Sequence, residues 1–148
     1  MPTEEFVMRG QTGSGLTETL NFGSKDGYAF RLIEFKLWPG SGIGSGDNEL
    51  LGSITAGKTA VAPTDPNFDD EGLIGVSAHN QHQNVAYGPF DGSVINDTFL
   101  ITQNLILMVQ DVAGAGRPVN WQLRFKPVKL SDVQAANANL RQFHVFDE

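Results

Sequence analysis

The chain has 148 residues, the length of one domain, and a domain of that size buries about 68–70% of the surface its unfolded chain exposes, so a core can form without staples. It has no cysteine, which excludes disulfides, thiolate metal sites and a cysteine nucleophile. Seventeen acidic against ten basic residues leave a net charge of −7, which repels phosphate backbones and anionic lipid over about 8–10 Å and argues against nucleic acid as a direct partner.

The start, Met1-Pro2-Thr3-Glu4-Glu5, is acidic and is not followed by a long apolar run, so it does not read as a signal peptide. The longest unbroken apolar run, Leu105 to Val109, falls far short of the roughly 20 residues that span a bilayer. A soluble protein without membrane insertion is expected.

Residues 6–9 and 16–22 are short β-type runs around the turn cluster Gly10 to Gly15, and read as a first pair of strands. Tyr28 to Trp38 is the longest strand of the first half. Tyr28, Phe30 and Leu32 share one parity and Ile33, Phe35 and Leu37 the other, so the apolar face changes sides, which calls for a bulge or a bend between sheets. Pro39 to Gly46 is a Gly-rich loop, and Glu49 to Thr55 a weak strand. Ala62 to Gly72, with two prolines and four acids, reads as a long exposed loop. Leu73 to Ala78 is a strand, His79 to Asn84 a polar turn, and 85–87 and 94–95 are short strands around Gly88 to Gly92.

The clearest pair is Phe99 to Asp111 and Val119 to Leu130. In the second, Val119, Trp121, Leu123 and Phe125 alternate with Asn120, Gln122, Arg124 and Lys126, the period-two pattern of a sheet with one dry face. The first is apolar at both parities and is expected to be covered on both faces. The short Gly-rich link between them predicts an antiparallel hairpin at the centre of the core. Ser131 as N-cap, Gln134 as its capping-box partner, and Val133, Ala136, Leu140 and Phe143 predict one short C-terminal helix lying across the sandwich. The fold expected over residues 1–148 is therefore a single all-β domain, an antiparallel β-sandwich of jelly-roll type with that helix appended.

Gly52-Ser53-Ile54-Thr55-Ala56-Gly57-Lys58-Thr59 satisfies the phosphate-loop formula, in which amides at the head of a long helix cradle an anion while Lys and Thr reach phosphate and Mg²⁺. Pro63 and Pro66 leave room for barely one helical turn after Thr59, and a parallel sheet wrapped by helices is missing. Gly52, Gly57, Lys58 and Thr59 are thus a phosphate-loop candidate set against a plain Gly-rich turn. Asp65, Asn67, Asp69 and Glu71 alternate as hard oxygen ligands for Ca²⁺ do, but an EF-hand is excluded because Asp70 and Val76 stand where Gly and Glu belong. A solvated acidic loop is the default there.

His79, His82 and His144 would need a carboxylate such as Asp91 brought close to hold zinc, and the Asn/Gln-rich neighbourhood argues instead for a polar loop that makes hydrogen bonds. No nucleophile elbow is present, and Asn96-Asp97-Thr98 matches the N-glycosylation formula. Trp38, Tyr28 and Tyr87 can stack on sugars if exposed, whereas Trp121 sits in clean alternation and is assigned to the core.

No catalytic residue, cofactor or metal is assigned. The reading is a non-enzymatic structural subunit, a coat, decoration, spike or fibre component of a virus particle, that assembles with copies of itself or docks on other structural proteins. In architecture alone it is similar to single jelly-roll coat proteins; the acidic start, without the basic arm of nucleic-acid-packaging coats, favours an outer role. A carbohydrate- or Ca²⁺-dependent binding module, using loops 39–47, 62–72 and 79–92, is the alternative. A nucleotide-binding protein using Lys58 and Thr59 ranks third.

Overall fold

The computed structural model describes residues 4–22, 28–42, 47–57, 59–81, 90–113 and 116–130. Within them the chain forms eight strands: β1 (Phe6–Thr12), β2 (Thr17–Leu20), β3 (Tyr28–Pro39), β4 (Asn48–Thr55), β5 (Leu73–Gln81), β6 (Phe90–Ile95), β7 (Leu105–Asp111) and β8 (Val119–Lys129). They make two antiparallel sheets, one of order β1-β8-β3 and one of order β2-β7-β4-β5-β6. The sheets face each other as a β-sandwich.

Alternation sets which residues lie between the layers. Leu32, Phe35 and Leu37 of β3 and Trp121, Leu123 and Phe125 of β8 point inward from the smaller sheet; Leu50, Ile54, Leu105, Leu107 and Val109 meet them from the larger, and all belong to one buried cluster. Each such Leu, Ile or Phe, when fully buried, contributes about 1.5–3 kcal/mol of transfer free energy. Phe6, Phe22, Phe30 and Phe125 close one end of this core with ring centroids 4.9–5.5 Å apart. At its middle, Gly52 of β4 gives the room that Phe35 occupies. A Cβ there would sit 2.8 Å from Phe35 Cζ.

The change of parity in the 28–38 strand is met by a register shift between Leu32 and Glu34 against β8. Ile33 is the residue left out of the ladder, and Leu32 and Phe35 both stay buried.

Two pairings expected from proximity in the chain do not form. β7 and β8 belong to different sheets, so the link between them passes from one sheet to the other and is not the turn of a hairpin. β1 and β2 are likewise split, each pairing with a strand from the far end of the chain, β8 and β7. The physical reason is the same in both cases. Two amphipathic strands joined by a short link can share one dry face side by side, or set their dry faces against each other across a core; alternation looks identical in the two arrangements.

Boundaries differ as well. β1 runs through Gly10 to Thr12, where a turn was expected, and β5 continues through His79 to Gln81, expected to open a polar turn. Phe99 to Asn104 is not strand: only Ile101 makes a bridge, exchanging backbone hydrogen bonds of 2.8 and 2.9 Å with Phe30. The second face of β7 is half-exposed at Ile106 and Met108, so that strand is buried on one side only. β6 begins at Phe90, inside an expected turn. The predicted helix from Ser131 to Phe143 and the strand at 85–87 lie outside the described residues.

Candidate functional site

The phosphate-loop octapeptide falls on β4 and the turn after it. Gly52 to Thr55 are mid-sheet, laddered to β5 on one side and β7 on the other, so their amides are committed to strand pairing. Ser53 Oγ donates to the Val61 carbonyl and Val61 N–H to Thr55 Oγ1, which folds the following segment back over the strand. No helix follows Thr59 in the described residues up to Gly72; Lys58 lies outside them.

In the acidic loop, side-chain oxygens turn onto the loop's own amides. Asn67 Oδ1 accepts from Asp69 N–H at 3.0 Å, and Asp70 Oδ1 from Gly72 N–H at 2.9 Å. Asp65, Asn67, Asp69 and Glu71 are all exposed. Among the described residues no three of His, Asp and Glu converge closely enough to hold a metal ion. His79 is buried and pairs in register with Asp91, while His82 and His144 lie outside the described residues. Asn96 Oδ1 accepts from Thr98 N–H and Oγ1, closing a turn after β6.

Two surfaces stand apart from this background. On the outer face of the five-stranded sheet, the cross-strand row Thr17, Met108, Ser53, Val76, Val94 lies beside the row Gln110, Leu51, Ala78, Gly92. Ser53 and Thr55 are buried under the segment around Val61, but Leu51, Val76, Ala78, Ile106 and Met108 are half-exposed and Val94 is 56% exposed. At the β5–β6 end, Phe68, 66% exposed, overhangs a hollow of about 350 Å³ that it shares with Val76, Val94 and Ile95.

The opposite face, on the three-stranded sheet, is polar. Its outward residues pair as Arg9–Gln122–Lys36 and Gln11–Asn120–Trp38. A groove of about 680 Å³ runs over Arg9, Lys36, Trp38, Asn120 and Gln122 to Asp91 of β6. Trp38 is 53% exposed, and behind it the His79 ring packs at 5.1 Å between centroids and 52° between planes. His79 is 3% exposed and, among the described residues, neither ring nitrogen has a hydrogen-bond partner.

Around Trp38 the amides are linked: Gln11 Nε2 donates to Asn120 Oδ1 at 2.9 Å, and Asn120 Nδ2 to the Pro39 carbonyl at 3.3 Å. On the next part of the face Glu34 accepts from Arg124 Nε at 3.0 Å and Gln122 Nε2 at 3.4 Å, with Lys36 Nζ at 3.5 Å. The Arg124 bond, with help from Lys36, holds the Glu34 carboxyl below the usual carboxylate range against the opposing effect of burial.

Trp38 was the one residue of this groove that its strand-end position singled out. Arg9 and Lys36 carry no spacing signal of their own, and alternation puts Asn120 and Gln122 on the polar face of β8 without showing their neighbours, because β1, β3 and β8 are brought side by side only by the strand order. The other two candidate stacking residues do not join it: Tyr28 is half-buried opposite Lys129, and Tyr87 is outside the described residues. Trp121 is core, its Nε1 donating to Thr12 Oγ1 at 3.0 Å. No known family model and no curated protein sequence matches the chain.

Proposed function

We propose that this protein is a non-enzymatic structural subunit that assembles through the outer face of its five-stranded sheet, as a coat, decoration, spike or fibre component of a virus particle. The observation that carries the reading is the apolar character of that face. Leu51, Val76, Ala78, Met108 and Val94 all point outward from that face, around the segment that covers Ser53, on a chain of net charge −7. A patch of that kind on a soluble domain marks a contact surface.

The strand order supports the same reading. An antiparallel ribbon that pairs β1 with β8, β2 with β7, β3 with β6 and β4 with β5, rolled up once, gives sheets 1-8-3-6 and 2-7-4-5, the jelly roll found in many capsid domains. This chain has the order β1-β8-β3 and β2-β7-β4-β5, departing from the roll only in that β6 ladders onto β5 while lying near β3. Fold alone does not assign function, so the surface carries the argument and the topology accompanies it.

Light scattering on the size-fractionated protein tests the proposal. The expected result is a concentration-dependent oligomer that Leu51→Lys and Val94→Lys, both outward and outside the core, convert to a folded monomer. A wild-type monomer at every soluble concentration, unchanged by adding the other proteins of its native particle, overturns it.

A further inference from the structure

We infer that the groove over Trp38 is a saccharide-binding site, and that its ligand is an acidic glycan, a chain bearing a carboxylate of the uronic or sialic type. It lies on the face opposite the proposed assembly surface and does not depend on that reading.

An indole that is 53% exposed in a row with Gln11 and Asn120 offers a flat apolar platform of the size of a pyranose ring, and such rings pack their C–H faces on aromatic planes. Ordinarily an exposed Trp is free to rotate. Here the His79 ring, 3% exposed and 5.1 Å behind, backs it, and the Pro39 carbonyl of the next residue is tied to Asn120. The platform is therefore pre-positioned, which reduces the side-chain entropy lost when a ligand is ordered on it. His79 acts only through Trp38; it is a positioning residue.

The rest of the groove supplies what hydroxyls and a carboxylate require. Gln122 and Asn120 are the amide side chains on the central strand, and Asp91 is an exposed acceptor on the far wall. Arg9 is exposed and, among the described residues, has no ion-pair partner, one strand beyond Gln122 and one inward-outward repeat from the Trp38 row. From strand spacing and rise, its Cα lies about 12 Å from that of Trp38, the span of a disaccharide. Lys36 adds a second cation beside it, shared with Glu34. Arg9, without an ion-pair partner among the described residues and at the other end of the groove from Asp91, is the cation left to select an anionic sugar over a neutral one. A guanidinium is the side chain best matched to a carboxylate, which it can hold through two parallel bonds.

The test uses the full chain with 3′-sialyllactose, trigalacturonate and, as a neutral control, maltotriose, read by tryptophan fluorescence and by isothermal calorimetry. Binding of one of the acidic sugars, with a shift in indole emission, is expected. Trp38→Ala should weaken it by roughly tenfold or more. Arg9→Gln should abolish the preference for acidic over neutral sugar, and raising the salt concentration should do the same in the wild type. Both positions are exposed, so the variants are expected to melt as the wild type does. Failure of all three sugars to bind, or acidic-sugar binding untouched by Trp38→Ala, overturns the site. Maltotriose bound as tightly as the acidic sugars overturns the assignment of an anionic ligand.

Discussion

Glu34 shows how a single side chain organises the polar face. It stands on β3 just past the bulge and collects Arg124, Gln122 and Lys36, three residues that would otherwise be separate long side chains on the sheet. Arg124 comes first in holding its carboxyl low, burial acts the other way, and Lys36 adds to the lowering. A carboxyl with its folded pKa below the unfolded one, about 4.3 for Glu, stabilises the fold above that value and loses this contribution as the pH falls through the folded value. Glu34→Gln is therefore expected to lower the melting temperature at neutral pH, by less than about 1 kcal/mol in stability because Arg124 and Lys36 are well solvated. The gap between wild type and variant should narrow as the pH falls through the lowered folded value, where the Glu34 carboxyl takes up its proton. Melting curves across that range check it, and a gap that persists at low pH would assign the effect to packing.

At the scale of elements, the arches decide the topology. Asp111, 5% exposed at the end of β7, accepts from Ala113 N–H at 3.1 Å and Glu49 N–H at 3.4 Å through Oδ1, and from Arg117 N–H at 3.3 Å through Oδ2. Its own N–H donates to Ser14 Oγ at 2.9 Å, so one residue ties the β7–β8 arch to the β1–β2 arch. Asp111→Ala leaves those part-buried amides without their acceptor, at a cost of about 1 kcal/mol or more; Asp111→Asn, which keeps Oδ1, should lose less. Denaturant titration separates the two, and an alanine variant as stable as wild type would show that water replaces the carboxylate there. The same arches mark the limit of what alternation makes legible. Inward parity in β8, the bulge at Leu32 and the burial of Trp121 follow from local pattern, because each depends on one strand and its dry face. Partner choice depends on how the link between two strands crosses the sandwich, and Asp111 reads only as the acid that ends an apolar strand until Ala113, Arg117 and Ser14 surround it. For the same reason Trp38 could be named as a stacking candidate from its place before Pro39-Gly40, while Arg9 could not be placed beside it. The groove is assembled from β1, β3, β6 and β8, and its composition appears only with the strand order.

At the scale of the whole molecule, the two ends of the described chain are paired: Phe6 with Phe125 and Thr12 with Val119, while β4, β5 and β6 are joined by neighbours in sequence such as Thr55 with Leu73 and Gly75 with Ile95. Closing a loop costs entropy that grows with the logarithm of its length, so the β4–β5–β6 meander can form before the terminal ladder repays its closure. A sandwich with pairings this distant is expected to fold on the scale of milliseconds to seconds, with the meander as its nucleus. The order can be read from substitutions that truncate without introducing new contacts. Ile74→Val, at a 1% exposed position of β5, should lose about 0.5–1.5 kcal/mol and slow folding by most of that amount, with a φ-value of about 0.5–0.8. Met8→Ala in β1, half-buried against the core, should leave the folding rate almost unchanged and speed unfolding, with φ of about 0–0.3. Stopped-flow chevrons on the two variants decide between this and a transition state in which β1 is already docked on β8, which would give Met8→Ala the larger effect on folding.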